Sequence, residues 1–225
     1  MSSNNYFWEK IADKESLKKD FIKITFFISL YENFKKNWEE TIKSFYANSI
    51  SLDENKNVIY EFKMPNPNNP NAFNENDFID DKREEEKYKS EVYRTIKKAN
   101  GKDWDHEVSL FNWLYTRGII TKEHYEQLLE IRTLRNILVH ELDKMLFEGL
   151  PQDLFELLKN LIKIRKYASK EWYIQVELPT SGDAEFDDQG NVIIPDEVFA
   201  STDIIYDIIY DTVIINNNKS LFVDI

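Results

Sequence analysis

Between residues 16 and 50 the chain carries neither proline nor glycine. Apolar side chains return there every three or four positions, at Phe21, Ile24, Ile28, Tyr31, Phe34, Trp38, Ile42 and Phe45. Only an α-helix gathers that spacing onto one face. About 35 residues of helix extend roughly 50 Å at 1.5 Å per residue. The opposite face, with Lys18, Lys19, Lys35, Lys36 and Lys43, belongs in water.

More helices follow. Residues 82–99 form a highly charged candidate with a narrow stripe of Tyr88, Val92, Tyr93 and Ile96, closed by Gly101 as a C-cap. A second runs over residues 105–117 and stops at Gly118. Thr121 reads as the N-cap of a third, which carries Tyr125, Leu128, Leu129, Ile131 and Leu134 into the segment at Arg135 and continues or kinks before Gly149. Pro151 suits the first turn of a fourth, whose face holds Leu154, Leu157, Leu158, Leu161, Ile162 and Ile164 and reaches about Val176. Residues 53–80 differ in kind. Pro65, Pro67 and Pro70 stand among eight Asn between Asn55 and Asn76, so the reading is a mobile loop with a short strand at residues 58–64. After a turn-rich stretch at 178–190 and a short strand at 192–194, residues 203–215 carry Ile at helical spacing and read as helix, although the β-branched content also suits a strand. The expected fold class is mainly α, with a body over residues 1–176 and a mixed or α/β acidic extension over 177–225.

Charge follows that division. The 225 residues carry a net −12; residues 177–225 hold 11 acidic side chains against 1 basic, which leaves 30 against 28 in the body. The extension repels phosphate, and the body is neutral on that question. There is no cysteine, which excludes disulfides and thiolate metal sites. Residues 1–23 lack a signal pattern and residues 22–30 are too short to span a membrane, so the expectation is a cytoplasmic protein with no membrane partner. No Gly-rich phosphate loop, His-Glu-x-x-His pair or serine elbow occurs, and no cofactor is expected. Asp103, Asp105, His106 and Glu107 have a metal-like composition, but adjacent positions diverge, and a charged first helical turn explains them. His124 in a first turn reads as exposed. Trp8, Trp38, Trp104, Trp113 and Trp172 are scattered and read as core or partner surface.

Chemistry concentrates in Arg135-Asn136-Ile137-Leu138-Val139-His140. On a helix Arg132, Asn136 and His140 share one face and Arg135 lies about 100° from Asn136, while Ile131, Leu134, Leu138 and Leu142 turn to the core. A cluster of arginine, amide and imidazole suits an anion. RNA cleavage needs a base for the 2′-hydroxyl, an acid for the leaving 5′-oxygen and positive charge on the phosphorane. His140 can move either proton, Arg135 can grip non-bridging oxygens, and Asn136 can orient either side chain. One such histidine per chain implies two copies face to face. The plainer reading leaves Arg135 in an ion pair with Glu130 or Glu141 and His140 capping its helix. Glu32, polar on an otherwise apolar stretch, either orients the motif or is simply solvated.

Arg135-Asn136 with His140 after four intervening residues, preceded by Gly118-Ile119-Ile120-Thr121 and a long first helix, resembles the HEPN superfamily over residues 16–170. The resemblance implies a HEPN-like helical bundle and a metal-independent endoribonuclease of a toxin–antitoxin or anti-phage defence system. It would act on tRNA or mRNA as a homodimer with a composite site at Arg135, Asn136 and His140, held in check by an antitoxin or other protein partner. The alternative is a catalytically inactive HEPN interaction module that binds a protein. In family toxins silenced by nucleotide transfer a Tyr stands two positions after the motif His; here Leu142 does, which argues against that silencing.

Overall fold

The computed structural model describes residues 13–47, 49–65, 78–181, 189 and 201–212. The fold is mainly α. Helix α1 (Lys14–Tyr46) is followed by strands β1 (Ser49–Leu52), β2 (Val58–Glu61), β3 (Lys63–Pro65) and β4 (Phe78–Asp80). Then come α2 (Lys82–Tyr88), α3 (His106–Thr116), α4 (Lys122–His140), α5 (Leu142–Glu148), α6 (Leu154–Trp172), α7 (Leu178–Ser181) and α8 (Ser201–Tyr210). Among the described residues no helix is long and apolar enough to cross a membrane. The chain packs as two compact units, one of Met1–Asn33 with Tyr115–Ile225 and one of Phe34–Leu114, a division that the sequence does not announce. Helix α8, from the expected extension, belongs to the same unit as α4 and α6.

Helix α1 buries Ile24, Phe27, Leu30, Tyr31, Phe34, Trp38, Ile42 and Tyr46. The stripe differs from the expected one at its ends: Phe21 and Phe45 are about half exposed. The expected stripe, with its mix of three- and four-residue steps, averages less than the 3.6 residues of a helical turn and so drifts around the helix, and over 33 residues the drift carries the end positions off the buried face. The helix also stops at Tyr46, four residues before the expected end at Ile50, because Ser49–Leu52 pairs antiparallel with Val58–Glu61.

That hairpin lies partly in the segment read as loop. Its turn is built by Asp53, whose Oδ1 accepts from the backbone of Asn55 and Asn57 at 2.8 Å each, with Lys56 at φ 65°. These bonds to the ionised form hold the Asp53 carboxyl below its usual value, the side-chain bond from Asn57 contributing most. A second two-stranded sheet joins Lys63–Pro65 to Phe78–Asp80, so the strand expected at 58–64 is two strands. Residues 66–77 of the expected loop, and the strand expected at 192–194, fall outside the described residues.

In the unit of Phe34–Leu114, α2 ends at Tyr88 and widens into a π turn over Lys89–Tyr93, short of the expected end at residue 99. Tyr88 and Tyr93, five apart, share a hydroxyl–hydroxyl bond of 2.9 Å that fits the wider turn. Gly101, at φ 68°, serves a turn in which its N–H bonds to the Lys98 carbonyl, not a helix cap. The core holds Phe34, Trp38, Val92, Leu110, Phe111, Trp113 and Leu114.

The other unit is the helical bundle that carries the motif. Thr121 caps α4 as expected, its Oγ1 accepting from the His124 N–H. Leu128, Ile131, Leu134 and Leu138 face inward against α6, which buries Leu154, Leu158, Leu161, Ile164 and Ala168. Pro151 does not open α6. It lies in the preceding turn, where its carbonyl accepts from Leu154. Past Trp172 a π turn runs to Glu177, near the expected end. Residues 201–210 are helical, as their spacing suggested.

Candidate functional site

Four buried residues, Leu128, Ile131, Leu134 and Leu138, fix the rotation of α4. That rotation turns Arg132, Asn136 and His140 away from the core, as the helical spacing required. The helix ends at His140, where the Glu141 N–H closes onto the Ile137 carbonyl before α5 begins at Leu142. His140 is exposed, and so are its neighbours Ile137 and Val139. Leu142 is half-buried, in the next helix.

Arg135 reaches back across the bundle. Its Nη2 donates to Oε1 of Glu32 on α1 in a close ion pair, and its Nη1 donates to Oδ1 of Asn136 at 3.0 Å. Its Nε is buried, with no hydrogen-bond partner among the described residues. The pairing with Glu130 or Glu141 considered from sequence is not the one formed. Glu141 instead takes Lys144 at 3.1 Å, and the bond and attraction of that carboxylate hold the exposed ammonium above its usual value. Asn136 therefore positions Arg135, with Glu32 as the second anchor. His140 lies five residues on, about 7.5 Å along the helix axis.

The residue after Glu32 has a matching role. Asn33 Oδ1 accepts from Nη1 of Arg165 on α6 at 2.8 Å. Arg165 is buried, and its guanidinium lies under the ring of Tyr206 on α8, 4.6 Å from the centroid. The adjacent Lys166 pairs with Asp207 of α8, and Tyr206 also approaches Phe26 of α1, with ring centroids 6.5 Å apart. Two consecutive residues of α1 thus receive one arginine each, from α4 and from α6. Sequence reasoning missed Asn33 and Tyr206. For Arg165 a signal existed, since it sits on the apolar stripe of Leu158, Leu161, Ile162 and Ala168, where a solvated arginine does not belong.

The lesser candidates have structural roles. Asp105 Oδ1 caps α3 by accepting from Val108 at 3.2 Å, Asp103 takes the Asn100 amide at 2.8 Å, and Glu107 pairs with Lys35. Among the described residues no three His, Asp or Glu side chains converge as metal ligands. His124 is not exposed but half-buried, its ring edge-on to Tyr167 at 4.6 Å, and that burial pushes its pKa below the usual value. Trp38, Trp113 and Trp172 are core, while Trp104 carries Lys97 over its ring at 4.7 Å. Trp8 lies outside the described residues.

No family model, no curated protein and no solved structure matches this chain. What the site can do rests on its own geometry.

Proposed function

We propose that this chain is a metal-independent endoribonuclease of the HEPN type, acting as a homodimer in a toxin–antitoxin or anti-phage defence system. The observation that supports it best is the arrangement at the end of α4. An exposed imidazole at His140 stands on the same helix as a guanidinium that Asn136 and Glu32 hold in place.

In this reading the 2′-oxygen of the RNA attacks phosphorus while one His140 takes its proton. The His140 of a second copy gives a proton to the departing 5′-oxygen. Arg135 stabilises the charge on the phosphorane. The products are a 2′,3′-cyclic phosphate and a 5′-hydroxyl. Ile137 and Val139, exposed beside His140, supply apolar area for the contact between copies.

The test is cleavage of tRNA and mRNA by the purified chain in EDTA, with end-group analysis and light scattering. Cleavage with the stated ends by a dimer is expected. His140→Ala and Arg135→Ala should each lower it by at least about a hundredfold without loss of fold. Activity that survives both substitutions places the chemistry elsewhere, and a strict monomer at micromolar concentration removes the composite site.

A second reading has one observation of its own. The charge of Arg135 is already answered by Glu32, as in a structural ion pair, which favours a catalytically inactive HEPN interaction module that binds a protein through Ile137, Val139 and His140. Wild-type expression that is as well tolerated as that of His140→Ala, with no cleavage of RNA, selects this reading.

A further inference from the structure

Helix α8 carries apolar residues on two opposite sides. At 3.6 residues per turn, Tyr206, Asp207 and Tyr210 fall on one side and Ile205 and Ile208 on the other. The first side is occupied. Tyr206 lies over the buried guanidinium of Arg165 and approaches Phe26, and Asp207 pairs with Lys166. Burial and the nearby Glu156 carboxylate of α6 raise the pKa of Tyr210. The second side is open. Ile205 and Ile208 are 54% and 60% exposed, and Asp211 and Thr212, in the wider turn that ends the helix, are exposed as well. No residue from 205 to 212 is fully buried, so packing on α6 and α1 covers only part of the apolar area of α8.

A helix that is apolar all round is ordinarily buried all round, and α8 has a packing surface on one side alone. We propose that the outer face of α8, built on Ile205, Ile208 and Asp211, docks a basic amphipathic helix of a partner protein. The proposal does not rest on the α4 motif.

Charge selects the occupant. Residues 201–212 hold Asp203, Asp207 and Asp211 and no basic residue. Asp207 is spent on Lys166, while Asp211 has no ion pair among the described residues. Residues 177–225 carry 11 acidic side chains and 1 basic, so this part of the chain lacks the cations to cover Asp211. Pairing with α8 of a second copy sets aspartate against aspartate, and a phosphate surface meets the same repulsion. A face that combines aliphatic side chains with Lys or Arg satisfies both the isoleucines and the free carboxylate. The row from Ile205 to Thr212 is about 10 Å long at 1.5 Å per residue, two turns, which is the seam that one crossing helix covers.

Fluorescence anisotropy with the full chain tests this. The probe is a labelled synthetic peptide of about 18 residues, long enough to form a helix, with leucine at every third or fourth position and lysine elsewhere. Two comparison peptides have the same composition in an order without an apolar face, or glutamate in place of lysine. The leucine–lysine peptide is expected to bind, and both comparison peptides should bind about tenfold or more weaker. Ile205→Ser combined with Ile208→Ser should weaken the probe by about tenfold or more. These are exposed positions, so the urea midpoint should hold. Asp211→Lys should weaken the probe several-fold at low salt and less at high salt. Ile59→Ser, at an exposed isoleucine of the other unit, should change nothing. No binding at about 100 µM peptide overturns the proposal. So does binding that either the paired isoleucine substitution or Asp211→Lys leaves unchanged, or a faceless peptide that binds as tightly as the probe. A wild-type chain that light scattering finds in a larger assembly than the isoleucine variant also overturns it, because the occupant is then a second copy.

Discussion

Glu32 of α1 and Arg135 of α4, 103 residues apart in sequence, form an ion pair that ties the first helix to the motif helix. Both side chains keep part of their surface in water, 35% for Glu32 and 24% for Arg135, so screening limits what the pair contributes to stability. A double-mutant cycle with Glu32→Gln and Arg135→Gln should return a coupling of about 1 kcal/mol in urea unfolding. In the cleavage assay Glu32→Gln should cost more than that small stability change accounts for, about tenfold, because Arg135 loses its orientation. A coupling near zero would mean that the contact does not hold the motif.

The α8 contact predicts a second result. Tyr206 covers the buried guanidinium of Arg165, and Asp207 pairs with Lys166. Tyr206→Ala should lower stability by about 1–2 kcal/mol through lost area and a lost cation–π contact. Asp207→Lys should loosen α8 and free a basic stretch of α6. If the acidic extension competes with phosphate there, that variant binds RNA more tightly than wild type, most of all at low salt. Unchanged RNA affinity across a salt series would leave α8 as a packing element alone.

The third prediction concerns acid. Burial against Tyr167 lowers the pKa of His124 below its ordinary 6.5, with Glu123 opposing weakly. The fold therefore favours the neutral imidazole. This contribution is fully present above about pH 6.5 and is lost as pH falls through 6.5 toward the depressed folded value. Urea midpoints measured between pH 8 and 5 should decline on the acid side, and His124→Gln should flatten that part of the decline. An identical pH profile for the variant would assign the decline to other groups.

How much was legible in sequence varies from element to element. Lys14–Tyr46, His106–Thr116, Lys122–His140 and the Ser201–Tyr210 helix follow from apolar spacing and from local signals such as Thr121 and Gly118. The facing of α4 was equally local, since Leu134 and Leu138 had to go in and Asn136 and His140 out. The hairpin at Ser49–Glu61 was missed because its composition resembles loop. Its signal was Asp53 followed by Asn55 and Asn57, a side chain placed to bond the backbone of its own turn.

What the sequence determined by itself is therefore the longer helices, Lys14–Tyr46, His106–Thr116, Lys122–His140 and Leu154–Trp172, and which face of each is apolar, because both depend on residues within a turn or two of one another. Only the tertiary structure decided which carboxylate meets Arg135, and that Arg165 is answered by Asn33 and roofed by Tyr206. Glu32, Glu130 and Glu141 are chemically equal candidates for the same arginine. The choice among them is made by how α1 and α4 pack, and that depends on contacts spread over the whole bundle.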